Sequence, residues 1–265
     1  MQNSVQNLIT IKKKIEDRLN DLGKSKSPKI IAVSKTFPIE KIHPLIDCGH
    51  LDFGENKVQE AIEKWSSVKT QNSNIKLHMI GKLQTNKVKF AVQIFDYIHS
   101  VDSEKLAKKI MDEQKKINSN VKLHMIGKLQ TNKVKFAVKI FDYIHSVDSE
   151  KLAKKIVDEQ NKINKKIKIF LQVNIGDENQ KSGINKNDLN KLVSFCKGSG
   201  LDLMGLMCIP PVNIEPEGYF EEMNKLNTTF GFSELSMGMS SDYLKAAKHS
   251  STYLRIGSGI FGQRF

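Results

Sequence analysis

Arginine is nearly missing from this chain: Arg18, Arg255 and Arg264 are the three found among 265 residues. That shortage weighs against the reading that a net charge of +13 first invites. Proteins that read nucleic acid rely on bidentate guanidinium contacts to bases and on cations clustered along one face. Here the cations are lysines mixed with acids along helix-like stretches such as SEKLAKKIMDEQKKIN, the pattern of a solvated surface. A basic nucleic-acid-binding barrel therefore stays only as an alternative. Cysteine is scarce too. Cys48, Cys196 and Cys208 are odd in number and lack CxxC or Cys/His spacing, which excludes a disulfide framework and a structural zinc site. No apolar run approaches the roughly 20 residues of a membrane span. The opening MQNSVQNLITIKKKIEDRL lacks the charged head and apolar block of a signal peptide. The expectation is a cytoplasmic protein without a membrane partner. Nucleotide loops are missing as well: GDENQKSG has Gln180 where a P-loop needs glycine, and no G-x-S-x-G elbow occurs.

What is present is a tandem duplication. HMIGKLQTNK occupies 78–87 and returns at 124–133, and the match extends from 75–120 to 121–166 with six mild mismatches. Two copies do not make a solenoid, which needs roughly three or more repeats to bury a continuous core. Each copy reads as two strand-helix modules: KLHMIG, QTNKVKFAVQIF, YIHSVD, then SEKLAKKIMDEQKKIN. Around them the alternation continues, from KIIAVSK at 29–35 and HLDFGEN at 50–56 to IKIFLQVN, LDLMGLMCI, ELSMGMS and YLRIGSGIF. Short strands alternating with helices predict a parallel sheet.

Without one copy the strand count is eight, the number that closes a TIM (β/α)8 barrel; with both it is ten. Ten strands would leave a barrel wider than side chains fill. The expectation is one domain over 1–265 in which eight strands close and a duplicated βαβα segment is displaced. His78, His99, His124 and His145 fall at equivalent places in the copies without a third ligand at metal spacing, and read as strand histidines rather than a metal cluster.

In such a barrel the residues just past the C-terminal strand ends line the mouth. Lys35 ends the buried run IIAVS. Partial desolvation there would favour the neutral amine that attacks an aldehyde, although a lysine capping the strand and reaching solvent fits the spacing as well. MGMSSD running into SDYLKAAK, and RIGSGIFG with three glycines, would suit a phosphate at the late barrel loops, or simply close packing.

IIAVSKTFP, FGENKVQE, HMIGKLQTNKVK, VNIGDENQKSGI, MGLMCIPP, LSMGMSSDYLKA and LRIGSGIFGQR together resemble the YggS/PROSC family of pyridoxal phosphate homeostasis proteins, in the family's order. Only the second repeat copy falls outside the pattern. The resemblance implies a PLP-binding barrel like the N-terminal domain of alanine racemase, with Lys35 carrying pyridoxal 5'-phosphate (PLP) as a Schiff base. It implies Ser240, Gly257 and Ser258 at the phosphate, Arg255 facing the pyridine nitrogen, and Asn56 as a pocket residue. It implies a carrier acting in vitamin B6 homeostasis rather than an enzyme, with PLP-dependent apo-enzymes as recipients. Racemases of this fold take a tyrosine from a C-terminal β-domain. The chain stops at Phe265, so efficient racemisation is not expected, and a weak amino-acid racemase stays only as the alternative.

Overall fold

The computed structural model describes residues 3–21, 27–99, 101, 103–117, 119, 121–178, 180–211, 214–238 and 242–262. Helices and strands alternate throughout. Before the duplication come α1 (Asn3–Asn20), β1 (Lys29–Val33), α2 (Ile39–Asp47), β2 (Asp52–Glu55) and α3 (Val58–Gln71). The first copy forms β3 (Lys76–Met79), α4 (Val88–Ile94), β4 (Tyr97–Ile98) and α5 (Glu104–Ile117). The second forms β5 (Lys122–Met125), α6 (Val134–Ile140), β6 (Tyr143–Val147) and α7 (Glu150–Ile163). Next are β7 (Lys168–Gln172), α8 (Lys186–Gly198), β8 (Asp202–Met207) and α9 (Glu217–Thr229). The last elements are β9 (Glu234–Ser236), α10 (Tyr243–Lys248), β10 (Tyr253–Ile256) and α11 (Ser258–Phe261).

All strand pairs are parallel, in the order β10-β1-β2-β3-β4-β5-β6-β7-β8-β9. The ends of this sheet meet around Leu235 and Thr252. The Thr252 amide donates to Leu235 O at 2.9 Å, and the Leu235 amide donates to Thr252 Oγ1 at 2.7 Å. The result is a nearly closed parallel barrel flanked by helices. Its outer strand face is apolar, with Leu77, Ile98, Leu123, Ile144 and Ile169 fully buried beneath the helices. Alternation then turns the intervening residues of β3 to β7 inward. Helix α1 lays Leu8, Ile11, Ile15 and Leu19 against α2, α10 and α11.

The expected eight-strand closure with a displaced copy is not what forms: the four strands of the two copies all stand in the wall. The reason lies in register. At the ancestral-type junction β6 meets β7 through Tyr143↔Lys168 and Ile144↔Ile169. At the new junction β4 meets β5 through Tyr97↔Lys122 and Ile98↔Leu123. VKLHM thus offers β4 the same alternation of lysine and aliphatic side chains that IKIFL offers β6. A whole number of modules has been inserted in phase, so no strand turns its apolar face outward.

Width is gained at the expense of pairing. YIHSV extends over five residues as β6 beside β7, yet the identical stretch beside β5 yields the two-residue β4. A second difference from the sequence reading falls at the C-terminus, where YLRIGSGIF is not one strand. The backbone leaves the sheet at Gly257 and turns into α11.

Candidate functional site

Lys35 lies just beyond β1, half-buried, four residues after Ile31, which lines the barrel interior. The ladder reaches the preceding residue, since the Ser34 amide donates to Gly54 O at 3.0 Å. Thr36 follows with φ of 67°, in the left-handed region that a β-branched residue avoids. An ion-pair network holds this turn. Lys64 on α3 donates to Ser34 O (3.1 Å) and Phe37 O (3.2 Å), and pairs with Glu55 and Glu60 at 2.8 Å each. Glu55 Oε1 also accepts from Ser34 Oγ (2.7 Å) and Trp65 Nε1 (3.0 Å), while the Thr36 amide donates to Glu60 at 2.5 Å.

Burial pushes the Glu55 carboxyl above its usual pKa range, with Lys64 opposing. Lys64→Met leaves that carboxylate buried beside no cation and frees the backbone on both sides of Lys35. Urea unfolding of this variant is expected to show a loss of roughly 3 kcal/mol. Adding Glu55→Gln should recover much of it through the pair's coupling.

Arg255 projects from β10, in register with Ile31, and its position inside the barrel starts a directed chain of hydrogen bonds. A guanidinium only donates. Arg255 Nη2 therefore gives to His99 Nδ1 (3.2 Å), His99 Nε2–H gives to His78 Nδ1 (3.1 Å), and His78 Nε2–H gives to Asp52 Oδ1 (3.0 Å). Asp52 Oδ1 also receives Lys29 Nζ at 3.0 Å. Both tautomers are thereby fixed, and a half-buried cation is linked to a carboxylate through two neutral rings.

The second copy repeats the rings without the ends. His124 Nδ1 and His145 Nε2 lie 3.1 Å apart, but His124 Nε2 and His145 Nδ1 are out of contact with solvent and have no hydrogen-bond partner. The rings stack into a column: His99 on His124 at 4.9 Å, and His145 on Phe170 at 4.3 Å.

Desolvation drives these imidazoles down. His145 falls to about 3 and His50 to about 4, while His78, His99 and His124 also drop below their usual value of 6.5. Folded-state values lie below unfolded ones, so the unfolded chain takes up protons first as pH falls. Stability is whole above pH 6.5 and declines toward pH 4, by up to about 1.4 kcal/mol per pH unit for each fully buried ring. Urea titrations at pH 7, 6, 5 and 4 should show the midpoint falling steadily; a flat profile would contradict neutral buried rings.

The other expected site residues lie around the same end. Gly257 and Ser258 follow β10 directly, and Asn56 follows β2, half-buried. Ser240 lies outside the described residues. Gly81 presses on Asn56, for a Cβ there would come within 2.4 Å of Asn56 O; its counterpart Gly127 has nothing within 4 Å. Gly238, with φ of 88°, runs so close over α10 that a Cβ would meet Ala246 Cβ at 2.3 Å. Sequence reasoning missed Asp52, Glu55, Lys64 and the role of the histidines. The inward alternation of Tyr97 and His99 on one strand was the available signal.

The alanine racemase N-terminal domain family matches residues 10–264. A "pyridoxal phosphate homeostasis protein" of Pasteurella multocida is 30% identical, covering 98% of this chain and 97% of its own. Among solved structures, an unknown protein from Bifidobacterium adolescentis is 23% identical with a TM-score of 0.56, covering 98% of this chain and 94% of that one. The alanine racemase of Clostridium difficile 630 in complex with cycloserine, 13% identical, gives 0.53, covering 100% of this chain and 60% of that one. These two support the barrel fold alone. By the extent of the family match and the full-length relative, the chain belongs to the alanine racemase N-terminal domain family and, within it, to the pyridoxal phosphate homeostasis proteins.

Proposed function

We propose that this protein binds pyridoxal 5'-phosphate at the C-terminal mouth of its barrel, on Lys35, and serves intracellular vitamin B6 homeostasis by holding the cofactor for PLP-dependent apo-enzymes. The observation that carries this is the neighbourhood of β1 and β10: Lys35 follows β1 directly, and β10 sets the half-buried Arg255 in register with Ile31 of β1 inside the barrel. Bound PLP supplies an aldehyde that an amine can capture and a ring that withdraws electrons. The residues present fit such a group. Lys35 provides the amine on a turn clamped by Lys64. Gly238, Gly257 and Ser258 present little side chain where a phosphate would approach backbone, with Ser240 as a further contact by family resemblance.

Arg255 acts through charge. Held by His99 and, through the rings, by Asp52, it would keep a proton off a pyridine nitrogen placed beside it and so weaken that ring's electron withdrawal. That favours retention of the cofactor over turnover of amino acids. The test is a wild-type chain incubated with PLP and passed through gel filtration. Retained visible absorbance, with no racemisation or transamination of added amino acids, is expected; a chain that takes up no PLP refutes the reading.

A further inference from the structure

The duplication gives the barrel interior a second imidazole pair but no second carboxylate. His78 and His124 lie two residues past Lys76 and Lys122, which pair across the sheet with Asp52 and Tyr97. Tyr97 therefore stands at β4 where Asp52 stands at β2. The oxygen that takes the His78 Nε2 hydrogen has no counterpart at His124, whose Nε2 is left without a bond.

Beside it lies a cavity of about 250 Å³, several times the ~30 Å³ share of one water. One rim is formed by Lys29, Tyr97, Tyr143, Lys168 and Tyr253, the first residues of five strands, so it opens toward the N-terminal end of the barrel, while its inner end reaches Arg255 and Gly238. Tyr253 and the Lys29 side chain are each 45% exposed, which leaves that end open to solvent. Charge inside favours an anion: Lys29, Lys168 and Arg255 stand against Asp52 and Glu234. Ile31, Met204 and Leu235 add an apolar wall.

We propose that this interior binds a small aliphatic monocarboxylate, which enters between the strand N-termini and accepts the His124 Nε2 hydrogen as Asp52 accepts that of His78. His124 Nδ1 then accepts from His145 Nε2–H, the same direction as in the first pair, and only a bare ring nitrogen is left over. Solvent does not touch His124 Nε2, and His124 is flanked by the Tyr143 ring, stacked at 4.1 Å, and the Tyr97 ring, edge-on at 6.0 Å, so the ligand reaches it by displacing one of these rings. Lys35 itself does not line this cavity.

The probe is sodium propionate, titrated into the uniformly ¹⁵N-labelled, PLP-incubated full-length protein, with 1-propanol and sodium chloride as neutral and inorganic controls. Expected is a saturable shift of several ppm at His124 Nε2, absent at His78 and absent with either control, together with a rise in Tm. His124→Phe sets at this step the ring that Phe170 sets beside His145, and it should abolish the rise. Lys35→Ala should leave the propionate response unchanged, which separates this site from the cofactor mouth. No saturable shift at His124, an equal response to chloride, or a Tm rise that persists in His124→Phe overturns the proposal. If His124→Phe does not fold, the wild-type titration decides alone.

Discussion

Lys35→Ala protein, incubated with PLP and passed through gel filtration, should emerge colourless where the wild-type chain emerges yellow. The loss should be nearly complete, because on the proposed reading Lys35 is the residue that would hold the cofactor covalently. An affinity drop of about 100-fold or more, roughly 2.7 kcal/mol, is expected for what remains of phosphate and ring contacts. Folding should be spared. Lys35 is half-buried at a strand end, and the backbone around it is held by Lys64, Glu55 and Glu60. Lys35→Arg sharpens the test: it keeps the positive charge and most of the length, yet a guanidinium does not become the neutral amine that captures an aldehyde. A Lys35→Arg protein that still holds coloured cofactor through the column would sink the assignment.

Removing residues 99–144, which joins Ile98 to His145, should return an eight-strand barrel that is more stable than the parent. The cut is in phase: the strand beside β3 becomes YIHSV followed directly by its partner IKIFL, the pairing that lets β6 run five residues. His78 would then face His145 between Asp52 and Arg255, so one complete chain of hydrogen bonds remains and the unfinished one disappears. Relief of a buried unpaired N–H contributes about 2 kcal/mol. The loss of the interior cavity adds to it, since eight strands leave a space that side chains just fill. Urea denaturation should show the higher midpoint, and PLP uptake should persist, because Lys35 and Arg255 lie outside the excised span. A shortened chain that fails to fold would mean that the ten-strand wall has become indispensable.

The barrel class was legible because helix and strand periods alternate without a break from KIIAVSK to YLRIGSGIF. The number of strands in the wall was not. It depends on whether Lys122 and Leu123 can stand beside Tyr97 and Ile98, a question of pairing across the sheet rather than of pattern along the chain. The two-residue β4 and five-residue β6 make the point most directly: one sequence, two lengths, set by the neighbour. At the candidate site, Lys35 was singled out because strand ends can be read from sequence, and Arg255 because of the family resemblance. The line from Arg255 through His99 and His78 to Asp52 was hidden, because it crosses strands far apart in the chain and exists only once their registers are known.

The unequal surroundings of Gly81 and Gly127 carry a consequence for the descent of this protein. Backbone of Asn56 blocks any side chain at Gly81, whereas Gly127 faces open space. Twin stretches that began identical are thus under different selection, and mutation can erode HMIGKLQTNK at 124–133 while its twin at 78–87 is held in place. Descendants of this chain should keep the glycine in the first copy and lose it in the second, so the record of the duplication will fade from one side only.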